Sequence, residues 1–222
     1  MAVPHQYIFR IQNSYLKSAA DITEINSDMG NSKKWEKGYS GFKANIRIHL
    51  KSEQNNRCAF CRCRVSVGTS YSNLEHLVSK TDYPQFKFEP NNIVYCCTRC
   101  NLAKVKSNTL ENPVVDKSLQ PFPIASNGFS IINPYFDDFE NYIDFIDDII
   151  IVVVNNSRKG KETISLYKLF RPELAEERAY ELKLNQKQLT RQLLNRLTDT
   201  NVEQDTINQI TEIVNQIPTW VL

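Results

Sequence analysis

Two Cys-x-x-Cys pairs, Cys58-Ala-Phe-Cys61 and Cys97-Thr-Arg-Cys100, are separated by 35 residues. Each pair places two sulfurs on one tight turn, and two such turns supply the four thiolates of a closed tetrahedral zinc site. A pair of reducible disulfides, or buried free thiols, is the other reading of the same cysteines. The 35 intervening residues are too many for a bare zinc loop and leave room for a strand pair. They hold Glu75-His76, which includes the sole histidine near the knuckles. A structural metal would therefore clamp a small unit around a Glu-His pair and two asparagines, Asn92 and Asn101, the second directly after Cys100. A thioredoxin-like redox pair does not fit two knuckles with secondary structure between them. Cys63 and Cys96 are left over and read as buried or half-buried thiols.

At 222 residues the chain suits one domain with appendages or two small domains. A hydrophobic fraction of 41% is enough for a core. The net charge of +2 says little as a total, but its distribution is uneven. From Arg57 to Lys106 there are eight basic residues against three acidic ones, whereas residues 137–148 carry six acids and no base. Positive charge thus gathers around the candidate site, as in a nucleic-acid footprint. Residues 1–10 lack the apolar core of a secretory signal, and no stretch reaches the length of a membrane span. A reducing, cytoplasmic setting without membrane contact is the expectation, and there CxxC pairs serve as metal ligands or redox sites more than as disulfides.

Along the chain, a weak helical pattern covers residues 15–25 and an amphipathic helix is predicted over 35–55, with Phe42, Ile46, His49 and Leu50 at helical spacing. A strand over 71–78 carries Glu75 and His76 near its end. Residues 79–91, with two prolines, form a loop, and 92–96 a short strand-like turn. The second knuckle opens a helix through Asn101, Lys104 and Ser107. Residues 109–132 hold three prolines and read as a linker. A strand is predicted at 149–154, then helices over 173–197 and 206–217. The fold expected is α+β: residues 1–39 a helical lead-in, 40–108 the catalytic unit, 109–132 the linker, 133–222 a mainly helical regulatory or docking region.

A neutral imidazole at His76 can take a proton from water near neutral pH. Phosphodiester hydrolysis needs such a base and a cation against the developing charge. Glu75 and Asn101 offer hard oxygens suited to Mg²⁺ or Mn²⁺. Lys80, Arg99, Lys104 and Lys106 flank the site as candidate phosphate contacts, with solvated surface charge as the competing reading of each. His49 reads as a helix residue.

The motif Cys-x-x-Cys, then Glu-His-Leu-Val-x-Lys, then Asn-Asn-Ile-Val-x-x-Cys-x-x-Cys-Asn-x-x-Lys resembles the HNH (ββα-metal) endonucleases of the zinc-knuckle branch, over about a third of the chain, residues 40–108. The resemblance implies a ββα-metal core with a structural Zn²⁺ on Cys58, Cys61, Cys97 and Cys100. It implies His76 as general base, Glu75 and Asn101 as ligands of a catalytic Mg²⁺ or Mn²⁺, and Asn92 as a brace for the loop and the histidine. An asparagine stands where a histidine often fills the last position, and a glutamate where an aspartate or histidine often precedes the base.

More distantly, Asn133-Pro134-Tyr135 with the acidic stretch, Phe170-Arg171-Pro172-Glu173-Leu174, and the lead-in from Trp35 resemble the HNH proteins of Septu-type anti-phage systems, including retron-associated ones. That resemblance implies an effector that cuts nucleic acid, DNA in the first place, under control of an ATPase partner. The C-terminal helices then read as a docking surface or as a cap on the chain's own core. A non-catalytic zinc module that binds nucleic acid, or a scaffold subunit with a decayed site, are the alternatives. A decayed site would be expected to have lost His76 or Asn101, and both are present.

Overall fold

A computed structural model describes residues 9–65, 72–104 and 107–183. The chain divides into two compact units, Met1–Leu174 and Ala175–Leu222. In the first unit the order is α1 (Ala19–Gly30), α2 (Ser40–Glu53), β1 (Ser72–His76), β2 (Ile93–Cys97), α3 (Thr98–Ala103), β3 (Ile143–Ile146), β4 (Ile150–Val153) and α4 (Arg158–Leu166). A further helix begins at 172 and is described to 183, so that 175–183 is the described part of the second unit. The rest of the helix expected over 173–197, and all of the one expected over 206–217, lie outside the described residues, as does Lys106. Among the described residues no helix is long and apolar enough to cross a membrane.

α1 starts at a reciprocal cap. The Ser18 hydroxyl accepts from Asp21 N at 3.1 Å, and the Asp21 carboxylate takes Ser18 N at 2.8 Å. Asp21 is buried and also accepts from Asn45 Nδ2 on α2 at 2.9 Å. Tyr39, at the N-cap of α2, sits in the left-handed region with no side-chain cap. Glu24 of α1 supplies the missing acceptor, taking Gly41 N at 2.9 Å and Phe42 N at 2.7 Å. A Cβ at Gly41 would lie 2.9 Å from the Glu24 carboxylate, so glycine is what lets the acid come in. The buried face of α2 is Phe42, Ile46 and Leu50, at the spacing of one helix face. The helix begins at Ser40 and not at 35, which leaves Trp35 in the preceding turn.

β1 and β2 pair antiparallel, with Ser72 opposite Cys97 at one end and His76 opposite Ile93 at the other. Burial alternates along β1, so Leu74 and His76 face inward while Glu75 is half-buried. Every residue of β2 is buried. Its outer edge is satisfied by a side chain: Gln54, fully buried past the end of α2, accepts from Tyr95 N at 3.0 Å and donates to Tyr95 O at 2.7 Å. Ala59 N of the first knuckle also reaches Tyr95 O, at 3.0 Å. β2 runs straight into α3, with Cys97 as the cap. The strand is therefore fuller than the strand-like turn expected at 92–96. α3 is shorter than the helix expected through 107, because Lys104 turns to an extended backbone at its end.

The stretch 109–132 packs back onto the loop after β1. Leu110 bridges Phe129, and both join Val78, Tyr83 and Phe86 in a second small core. Of the acids of 137–148, Asp137 is built into the core and the others stay half-buried or exposed at the surface. Asp137 is buried and takes Asn133 N, the Tyr142 hydroxyl and, at 2.8 Å, Lys159 Nζ. Asp147 and Asp148 hold the two positive-φ positions of the β3–β4 hairpin, a conformation that Asp tolerates better than most residues.

Gln54→Ala would leave the buried Tyr95 N–H without its acceptor. The expected loss is about 1–3 kcal/mol of stability, read by chemical denaturation. An unchanged denaturation midpoint would remove Gln54 from this bracing role.

Candidate functional site

At the knuckle end of the hairpin the sulfurs of Cys58, Cys61, Cys97 and Cys100 lie within 4.8 Å of one another, all buried. Cys61 Sγ and Cys97 Sγ are 3.8 Å apart. That is far beyond a disulfide bond of about 2.05 Å. It matches the edge of about 3.8 Å that follows from a tetrahedron with Zn–S bonds of about 2.3 Å. All six cysteines are free thiols. The four clustered sulfurs can hold a metal ion such as zinc, and their softness and number favour it.

The surroundings suit an anionic cluster. Arg62 is buried in the first knuckle with a left-handed backbone, its guanidinium 3.7 Å from the Phe9 ring centroid and 3.2 Å from Cys58 O. Burial pulls its pKa down to about 9, and the Cys58 sulfur works against that. Arg171 Nη2 lies 3.8 Å from Cys100 Sγ. Hydrogen bonds from Cys100 and Cys58 hold the Cys61 thiol well below the usual thiol range, while hydrogen bonds with Cys58, Cys61 and Cys97 push Cys100 up. Phe60, between the first two cysteines, stacks on Tyr167 at 3.6 Å. Cys63 and Cys96 are buried and stand outside the sulfur cluster.

The other end of the hairpin carries His76 and Glu75. His76 is almost wholly buried, and its Nε2 lies 3.0 Å from Lys87 O. A carbonyl oxygen only accepts, so Nε2 carries the ring proton and Nδ1 is left as the basic nitrogen. Trp35 meets the imidazole edge-on at 4.6 Å. The same indole has Lys43 Nζ at 5.6 Å and Lys80 Nζ at 6.0 Å from its centroid. Burial depresses His76 to about 3, helped by the charges of Lys80, Lys104 and Lys87 and opposed by the Lys87 carbonyl.

Glu75 and His76 both line a pocket of about 120 Å³ whose other walls carry Ser79, Lys80, Lys104 and Ser107. Lys104 is turned inward. Its ammonium lies 2.7 Å from Glu75 Oε1 and 3.0 Å from Leu77 O, and also bonds His76 O. Its side chain is only 7% exposed. Three oxygens thus converge on one cation position. Asn92 is fully buried between β2 and the loop: its Oδ1 accepts from Val78 N at 2.7 Å, and its Nδ2 donates to Val78 O at 3.1 Å and Phe86 O at 3.0 Å. It fastens the two ends of the loop that carries Lys80 and Lys87. Asn101 is half-buried on α3 and does not line the pocket. Arg99 is half-buried at the start of α3, with its carbonyl held by Arg171 at 3.2 Å.

Sequence reasoning did not single out Trp35 or Gln54 as parts of this site. Trp35 lay inside the helix expected over 35–55, and no spacing rule ties it to a histidine 41 positions on. The clue available was compositional: an indole just ahead of a helix whose apolar face begins at Phe42.

The class defined by this geometry is a small ββα unit, β1–β2–α3, pinned at one end by four cysteines and carrying a half-buried Glu75 beside a buried His76 at the other. No family model matches the chain. Among curated proteins it is distantly related to Septu protein PtuB of Bacillus mycoides (strain KBAB4), 29% identical over 147 residues that cover 60% of this chain and 50% of that protein. It is similarly related to Septu protein PtuB of Bacillus thuringiensis, 27% identical over 154 residues, 69% of this chain and 49% of that protein. The chain spans about half the length of these relatives.

Metal analysis of the purified chain should return about one zinc per chain, and Cys97→Ser should lower both zinc content and thermal stability, since binding and folding share one free energy. A zinc-free chain that is equally stable would remove the metal from the fold. The His76 ring protons should show no titration between about pH 5 and 8 by NMR, whereas Trp35→Ala, which admits water, should raise the inflection toward 6.5. The unfolded chain binds this proton first. The stability contribution of neutral His76 is therefore complete above 6.5 and erodes as pH falls from there toward about 3.

Proposed function

We propose that this chain is a metal-dependent HNH endonuclease that hydrolyses phosphodiester bonds of DNA, and that it serves as the nuclease of a Septu-type anti-phage assembly. One observation carries the nuclease reading: Glu75 and His76, adjacent on β1, open into one pocket that also holds Lys80 and Lys104. The relationship to the two Septu proteins carries the defence reading, and with it the expectation of an ATPase partner. Six free cysteines suit the reducing cytoplasm.

The donor set fits a hard divalent cation. The Glu75 carboxylate and the backbone oxygens of His76 and Leu77 already surround one cation, the Lys104 ammonium. Glu75 would hold the Mg²⁺ or Mn²⁺, which would neutralise charge building on the phosphate, and Asn101, outside the pocket lining on α3, would have to turn toward the pocket to join it. His76 Nδ1 takes the proton of the attacking water, while the Nε2–H bond to Lys87 O fixes the ring plane. A base pushed down to about 3 is weak by itself. The charges of Lys80, Lys104 and Lys87 contribute to that depression, and an anionic phosphodiester in the pocket offsets them. The proton affinity of His76 thus rises when substrate is bound. Asn92 acts at a distance, by holding the loop that carries Lys80 and Lys87.

Plasmid incubated with the full chain, with and without Mg²⁺ or Mn²⁺, tests the reading. Cutting should need the divalent ion, His76→Ala should lower the rate about 10²–10⁴-fold with zinc content unchanged, and Asn101→Ala should raise the metal concentration required. Cutting by His76→Ala at the parent rate would sink this mechanism. Plasmid binding without cutting under any divalent ion would favour the non-catalytic zinc-stabilised module. Co-purification from the native host that returns no nucleotide-hydrolysing protein would remove the partner.

A further inference from the structure

Past Ser79 and Ser107 the His76 pocket runs on into a larger one, since both serines line the two. The second cavity is about 440 Å³, within the range of roughly 300–1,000 Å³ that small-molecule sites occupy. Its walls are the loop after β1 at Asp82 and Tyr83, the chain at Asn108, and the stretch around Val114 and Val115.

All three walls are anchored. Thr109 Oγ1 donates to Leu77 O at 2.7 Å, at the end of β1. Gln85 Nε2 donates to Lys117 O at 2.7 Å, and Lys117 pairs with Asp82 at 3.0 Å. Val114 N is held by Gln120 Oε1 at 2.8 Å. On this fixed backbone Val115 is fully exposed, and Val114 is exposed beside it. The two valines give this side of the cavity an apolar rim.

The charges of the two pockets differ. In the His76 pocket Lys104 is paired with Glu75, and Lys80 adds a net positive charge. In the second pocket the acid and the base, Asp82 and Lys117, neutralise each other. One end therefore takes an anion and the other an uncharged group with an apolar face and polar edges. Asn108 can serve such an edge: its Oδ1 accepts from Leu110 N at 3.1 Å, which leaves the amide NH₂ as a donor. A phosphate joined to a nucleoside has this division of charge.

We propose that the cavity bounded by Asn108, Tyr83 and Val114–Val115 is a nucleoside subsite that receives the base next to the phosphodiester being cut, a reading that rests on the nuclease function proposed above. It gives the stretch 109–132 a part in substrate selection.

NMR titration of the full chain with inorganic phosphate, deoxyribose 5-phosphate and thymidine 5′-phosphate separates the two pockets. The nucleotide should bind at least about fivefold more tightly than deoxyribose phosphate and shift the Val115 methyl signals. Val115→Asp, a change at a wholly exposed position, should erase that preference and leave phosphate binding within about twofold. In the plasmid assay it should flatten the base distribution beside the cut. Equal affinity for all three ligands, or a Val115→Asp chain that keeps the nucleotide preference, overturns the subsite while leaving the nuclease reading in place. Failure of phosphate itself to bind, with no cutting, overturns both. A Val115→Asp chain that retains nucleotide preference but no longer recovers a protein partner makes this edge a protein-docking surface instead, and also overturns the subsite.

Discussion

Four sulfurs brought within 4.8 Å of each other and shut away from water are held apart by their own charge as soon as they ionise. A tetrahedral dication removes most of that repulsion, and Arg62 and Arg171 stand where the remaining negative charge would lie. The cluster joins the first knuckle to the junction of β2 and α3. That junction sets where α3 starts, and Ala59 N and Gln54 fix the outer edge of β2 against the same knuckle. β1 then has one free edge of β2 to pair with, so its register and the placement of Glu75 and His76 follow.

The register has a second consequence. Cys97 pairs with Ser72 and His76 with Ile93, so the sulfur cluster and the imidazole occupy opposite ends of a five-residue hairpin. At about 3.4 Å per residue the two centres are on the order of 14 Å apart. The cysteine end is a soft, fully enclosed cluster. The Glu-His end is cationic, lined by oxygens, and open to a pocket. One hairpin thus keeps apart two chemically different ends: four soft sulfurs that can hold a metal such as zinc at one, and a carboxylate with carbonyl oxygens around the Lys104 ammonium at the other.

Much of this arrangement was legible in the sequence where a local rule governs it. Knuckle spacing brings the cysteines together, helical spacing at Phe42, Ile46 and Leu50 gives the buried face of α2, and the strand order around His76 follows from alternation and the flanking prolines. What was not legible depends on partners distant in sequence. The prolines of 109–132 mark a chain without regular structure, and nothing local says that Leu110 and Phe129 pack on Val78 and Phe86. The acids of 137–148 look like a charged surface by composition. Asp137 is instead neutralised by Lys159, 22 positions on, and Asp147 and Asp148 are turn residues. Lys104 resembles the other basic residues of its segment, yet it alone among those described lines the pocket with its ammonium on the Glu75 carboxylate.

Lys104 also explains how three oxygens come to be gathered at the end of β1. Glu75 and the carbonyls of His76 and Leu77 point at a common centre, and an unmatched carboxylate there, partly buried, would be costly. The Lys104 ammonium satisfies all three oxygens while its backbone ends α3. Strand alternation leaves Glu75 half-buried, so its carboxylate meets the Lys104 ammonium while still lining the pocket.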